Sequence, residues 1–76
     1  MDETLRQWGE NIRLRRMAMK MKQEDLGALL TPKVTQGTVA RWERGLMEPR
    51  RHYKSQLAAA LHTDVRLLFP LTQGAA

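Results

Sequence analysis

The chain has 76 residues and no cysteine, with 13 Lys and Arg against eight Asp and Glu and a formal net charge of +5. That length makes one small domain with a modest core, and the missing cysteines exclude a disulfide framework and thiolate zinc sites while suiting a reducing, cytoplasmic setting. The positive balance points to an acidic partner, nucleic acid ahead of anionic membrane, and no apolar run approaches a membrane span.

The first ten residues, MDETLRQWGE, begin acidic and polar and lack the basic start and apolar core of a signal peptide. Thr4 to about Met19 is predicted as the first helix, with either Thr4 or Asp2 as its cap and Leu5, Trp8, Ile12 and Met19 on one face. Arg15 and Arg16 interrupt that face. One of them is expected to pack its aliphatic stem while its guanidinium finds a carboxylate. Met17, Met19 and Met21 are read as core filling.

A second helix is predicted from Gln23 to Leu30, with Leu26, Leu29 and Leu30 inward. Lys22 is a poor cap for it, but Glu24 and Asp25 suit the positive end of its dipole. Pro32 breaks the pattern and biases Thr31 away from helical geometry, which puts a turn at Thr31 to Val34. Thr35 is an N-cap for a third helix over Gln36 to Arg44, with Val39 and Trp42 inward and Gly45 at a left-handed stop. A fourth helix follows from about Arg50 to Leu61, with Tyr53, Leu57, Ala60 and Leu61 as its apolar stripe. Thr63 or Asp64 caps a last short helix through Val65, Leu67, Leu68 and Phe69, which Pro70 ends. The expectation is an all-α bundle of four to five short helices in a single domain over 1–76, with a helix-turn-helix at about 23–45 and a polar tail at 72–76.

Chemistry at these positions is of one kind. Ser55 is the lone serine and has no evident base, Glu24 and Asp25 point different ways, and His52 and His62 have no neighbours at metal-ligand spacing. No catalytic residue, metal or cofactor is expected, and the chain does not read as an enzyme. Basic residues instead bracket the helix pair: Arg13, Arg15, Arg16, Lys20 and Lys22 before it, and Arg41, Arg44, Arg50, Arg51 and Lys54 across its end. The amino end of a helix in the DNA major groove brings its side chains to base edges. Gln36 can pair with adenine, Arg41 can reach guanine or a phosphate, and Gly37 lets the backbone approach closely. Thr38 fits either a base contact or a helix-stabilising role. Gln23, Lys33, Thr35, Arg44, Arg50 and Arg51 are candidates for the phosphates, and Glu43, beside inward Trp42, for a structural ion pair with Arg16.

Over roughly Ile12 to Phe69 the chain resembles the Cro and C1-type helix-turn-helix family of phage and bacterial repressors. The resemblance rests on Gln23-Glu24-x-Leu26, on Thr35-Gln36-x-Thr38-Val39-x-x-Trp42-Glu43-x-Gly45, on Pro49, and on Leu57-Ala58-x-x-Leu61. It implies a five-helix DNA-binding domain, usually dimeric on palindromic operators. By position, it puts Gln36, Gly37 and Arg41 at base-reading places, Gln23 and Arg44 at phosphate contacts, and Arg16 and Glu43 in a structural salt bridge. The chain departs from the family by Thr31-Pro32-Lys33 where a single glycine is usual, by Gly27 for a small alanine, and by His62 for a glycine. The expected function is sequence-specific binding of double-stranded DNA by a homodimeric repressor of phage or prophage type. Leu67, Leu68, Phe69 and Leu71 are the candidate dimer contacts, against a place in the monomer core. An antitoxin that also binds a protein toxin, and a protein-interaction module, are the alternatives.

Overall fold

A face of α1 (Glu3–Ala18) made by Trp8, Gly9 and Ile12 is where the core begins. The structure, a computed structural model, describes residues 3–70, and four further helices follow: α2 (Gln23–Ala28), α3 (Gln36–Glu43), α4 (Arg51–Ala60) and α5 (Val65–Leu68). No strand occurs among the described residues. Ile12, Leu26, Leu30, Val39, Trp42, Leu57, Leu61, Leu68 and Phe69 fill the interior that these helices share.

Glycine lets α3 lie directly against α1. A Cβ at Gly9 would stand 2.4 Å from the Trp42 carbonyl oxygen, so the backbones touch there as no other residue would allow. Three helices end on a residue with positive φ: Lys20 (59°), Gly45 (74°) and His62 (54°). Each end carries the same long-reach bond: Met21 N to Arg16 O, Leu46 N to Arg41 O, and Thr63 N to Ala58 O, at 3.2, 3.0 and 2.9 Å. His62 thus holds the left-handed place that a glycine would take at lower conformational expense. Arg15 reinforces that end by donating to the carbonyl oxygens of Leu61 and His62, each at 2.8 Å.

Leu29 and Met17 differ from their expected places. Leu29 is 58% exposed and Met17 50%. At roughly 100° per residue, Leu26, Gly27 and Leu30 centre the buried face of α2 on the side away from Leu29. By the same rotation Met17 lies nearly opposite Ile12 on α1. Met19 and Met21 do pack against the core.

The last turn of chain also differs. Leu68 and Phe69 are buried in the monomer, with Phe69 edge-on to Trp8 at 5.5 Å, so neither offers a surface to a second copy. Trp8 Nε1 and Asn11 Nδ2 hold this segment by donating to the carbonyl oxygens of Pro70 and Leu68 at 2.8 and 3.0 Å. Leu67, the residue just before them, is 73% exposed. Leu71 lies outside the described residues.

The turn between α2 and α3 contains a cis Thr31–Pro32 peptide and is held from α4. The Gln56 amide bonds both main-chain groups of Thr31, accepting from N at 2.7 Å and donating to O at 2.9 Å, and Tyr53 Oη donates to Pro32 O at 2.9 Å. Val34 closes the turn by donating its amide to Gly27 O at 3.2 Å. A Cβ at Gly27 would lie 2.4 Å from Val34 O, so the longer turn and this glycine belong together. The propensity penalty of Gly27, about 1 kcal/mol, is the condition for seating the turn.

Candidate nucleic-acid interface

The amino end of α3 is fixed locally before anything binds it. Thr35 is extended (φ −79°, ψ 164°), and its hydroxyl accepts from Thr38 N at 3.3 Å, which satisfies a free donor of the first turn. The Thr35 and Thr38 hydroxyls are themselves 3.2 Å apart. That contact fits the helix-stabilising role for Thr38, whose side chain also lines a groove with Arg50, Trp42, Met47 and Tyr53. Val39 and Trp42 anchor the other side of α3 in the core.

Beneath the helix lies a buried ion pair. Arg16 Nε and Nη2 donate to Glu43 Oε2 and Oε1 at 2.6 and 3.1 Å, with the two side chains 13% and 3% exposed. Arg16 Nη1 donates to Met21 O at 2.7 Å, so the guanidinium also braces the link from α1 to α2. A bidentate pair so shielded holds its geometry well, and removing one partner would strand the other.

The polar chain continues outward. Gln23 Nε2 donates to Glu43 Oε1 at 2.9 Å, and Gln36 Nε2 donates to Gln23 Oε1 at 2.5 Å. The sequence gives no sign of this relay, because its members are 13 and 20 residues apart on different helices. Gln23 is half-buried and Gln36 exposed. Gln23 is thus committed through its side chain to Glu43 and Gln36, whatever else its position offers.

The remaining candidates are spread around this edge. Arg41 is exposed on α3 and Arg44 is its C-cap, the latter lining a polar cleft with Arg6, Gln7, Glu3 and Glu10 of α1. Lys33 is exposed in the turn, and Arg50 and Arg51 at the start of α4. Lys54 turns away to Glu48 at 2.7 Å and sits 4.3 Å over the Trp8 ring. A Cβ at Gly37 would make only an ordinary van der Waals contact, its nearest neighbour being Thr35 Oγ1 at 3.8 Å. Nothing in the packing requires a glycine there. Among the described residues no group of three or more His, Cys, Asp or Glu could hold a metal, and no helix is long and apolar enough to cross a membrane.

A family model described as helix-turn-helix matches residues 12–68. The P22 c2 repressor protein, solved in complex with synthetic operator 9T in the presence of Tl+, is 32% identical. That likeness covers 83% of this chain and 92% of that one, with a TM-score of 0.77. No curated protein sequence matches the chain. With a matching sequence family, a matching fold and α3 seated on its ion pair, the chain belongs to the Cro/C1-type helix-turn-helix family of DNA-binding transcriptional regulators.

Proposed function

We propose that this non-catalytic regulator binds a palindromic operator as a homodimer and represses transcription, with α3 as the element that reads bases. The observation that carries the reading is the capped amino end of α3, where Gln36 is exposed and Gly37 leaves the backbone open beside it. A helix needs such an end to approach base edges in the major groove. The operator-bound P22 c2 repressor supports the same partner. Gln36, Gly37, Thr38 and Arg41 are assigned to the bases, and Lys33, Thr35, Arg44, Arg50 and Arg51 to the phosphates. Gln23 stands between the groups through its bond to Gln36.

For the dimer, Leu67 is the proposed contact, since it is exposed while Leu68 and Phe69 are buried. Leu14 and Leu67 line one shallow groove, which extends that apolar surface onto α1. A cytoplasmic location follows from the work on DNA. The test is anisotropy of a labelled duplex against added chain at several salt concentrations. Binding at low salt that weakens steeply and log-linearly with salt is expected. No binding at low salt would refute it. Recovery of a one-to-one complex with a small second protein, rather than a dimer, would favour the antitoxin alternative.

A further inference from the structure

The Glu43 carboxylate has acceptors only, and that fact propagates. Arg16 occupies both of its oxygens, and Oε1 also takes a hydrogen from Gln23 Nε2. The Gln23 amide must therefore turn its nitrogen inward and its carbonyl oxygen outward. That oxygen receives Gln36 Nε2, which sets the second amide in turn. Gln36 is left with its own carbonyl oxygen and one remaining amide hydrogen unengaged by the described residues. An acceptor beside a donor is the complement of the N6 hydrogens and N7 of adenine in the major groove. An amide free to rotate could instead offer both hydrogens to the two acceptors of guanine.

We propose that Glu43 is a positioning residue for base choice: through Gln23 it fixes which edge Gln36 turns to the DNA, and so favours adenine over guanine. The proposal rests on the DNA-binding reading above. Its sharpest consequence lies in Glu43→Gln. An amide at 43 must turn its NH2 toward one Arg16 donor. The shorter contact, Nε at 2.6 Å, claims the oxygen, and the NH2 falls at the Oε1 side that faces Gln23. Gln23 then has to present its oxygen inward and its NH2 outward, and Gln36 has to answer with its oxygen. Two hydrogens on Gln36 are then turned to the groove, the pattern that suits guanine.

The experiment starts from the duplex that the native chain selects from a random pool. Each position is then changed to the other base pairs, and affinity is measured for the native chain, Gln36→Ala, Glu43→Gln, Gln23→Met and Glu43→Gln with Gln36→Ala. At one position per half-site the native chain should prefer adenine by roughly 5- to 150-fold, a preference lost in Gln36→Ala. Glu43→Gln should bring the adenine-to-guanine ratio there to within about twofold of unity or invert it, leaving ratios elsewhere unchanged. In the Gln36→Ala background it should change that ratio no further. Circular dichroism and a cooperative melt above the assay temperature establish that each variant is folded. If Glu43→Gln does not fold, Gln23→Met decides by the same ratio, because it leaves the Arg16–Glu43 pair intact. A folded variant that keeps the native ratio, or that lowers all ratios together, overturns the positioning role. Failure of the native chain to select any sequence overturns the DNA reading beneath it.

Discussion

Gly27→Ala sets two forces of opposite sign against each other, and the structure decides between them. In an unencumbered helix the change would stabilise by about 1 kcal/mol, since alanine loses less backbone freedom on folding. Here the new Cβ would lie 2.4 Å from Val34 O, where about 3.0 Å is the closest approach that real Cβ atoms make. The obstacle is a main-chain carbonyl in a turn that Gln56 and Tyr53 hold from α4, so it cannot swing aside as a side-chain tip would. The shift would also stretch the 3.2 Å bond from Val34 N to Gly27 O, worth about 0.5–1.5 kcal/mol. Overpacking of this kind costs about 1–3 kcal/mol, enough to cancel the propensity gain and exceed it. The net expectation is a loss of about 1–2 kcal/mol, read as a fall in melting temperature of roughly 5–15 °C for a domain of this size. Gly37→Ala is the matched control, because its nearest neighbour is at 3.8 Å. It should hold or raise the melting temperature. A rise for Gly27→Ala equal to that for Gly37→Ala would refute the coupling of this glycine to the longer turn.

Other expectations follow from the same geometry. Glu43→Ala strands Arg16 and should cost about 3–5 kcal/mol by urea denaturation; a loss under 1 kcal/mol would mean that the pair is dispensable. Gln36→Ala should leave the melt unchanged and flatten discrimination between an operator and its scrambled form, and equal responses of the two duplexes would remove it from base reading. Arg44→Ala should weaken binding to all duplexes alike and reduce the salt slope by about 1, with an unchanged slope and affinity refuting a phosphate contact. Leu67→Glu should leave the monomer folded while lowering cooperativity on a two-site duplex; unchanged cooperativity would place the dimer contact elsewhere.

The bundle is legible in the sequence because its strongest signals are local. Thr35 caps, Gly45 stops at a positive φ, and the spacing of Ile12, Leu26, Val39, Trp42, Leu57 and Leu61 marks the buried faces. His62 at a glycine place stands out by comparison with the family, and it does take the left-handed conformation. Exposure of Leu29 and Met17 is less legible. A short helix buries one narrow stripe, and periodicity alone does not say on which side of Leu26 or Ile12 that stripe is centred. Gly9 carries a readable hint, as a glycine inside a helix between Trp8 and Ile12, yet only the close approach of Trp42 O explains it. The hold of Gln56 and Tyr53 on the turn, and the relay from Glu43 to Gln36, are set by distant segments meeting in space. No local pattern encodes such contacts.

α3, held on Glu43, is proposed to read a specific sequence as one half of a symmetric pair. Selection of bound duplexes from a random pool at moderate salt, followed by sequencing, tests specificity and symmetry together. An enriched palindrome is predicted, with half-site centres about one helical turn, ~34 Å, apart and adenine fixed at the position that depends on Gln36. A pool that emerges bound but with no sequence enriched over its input would contradict base reading by α3.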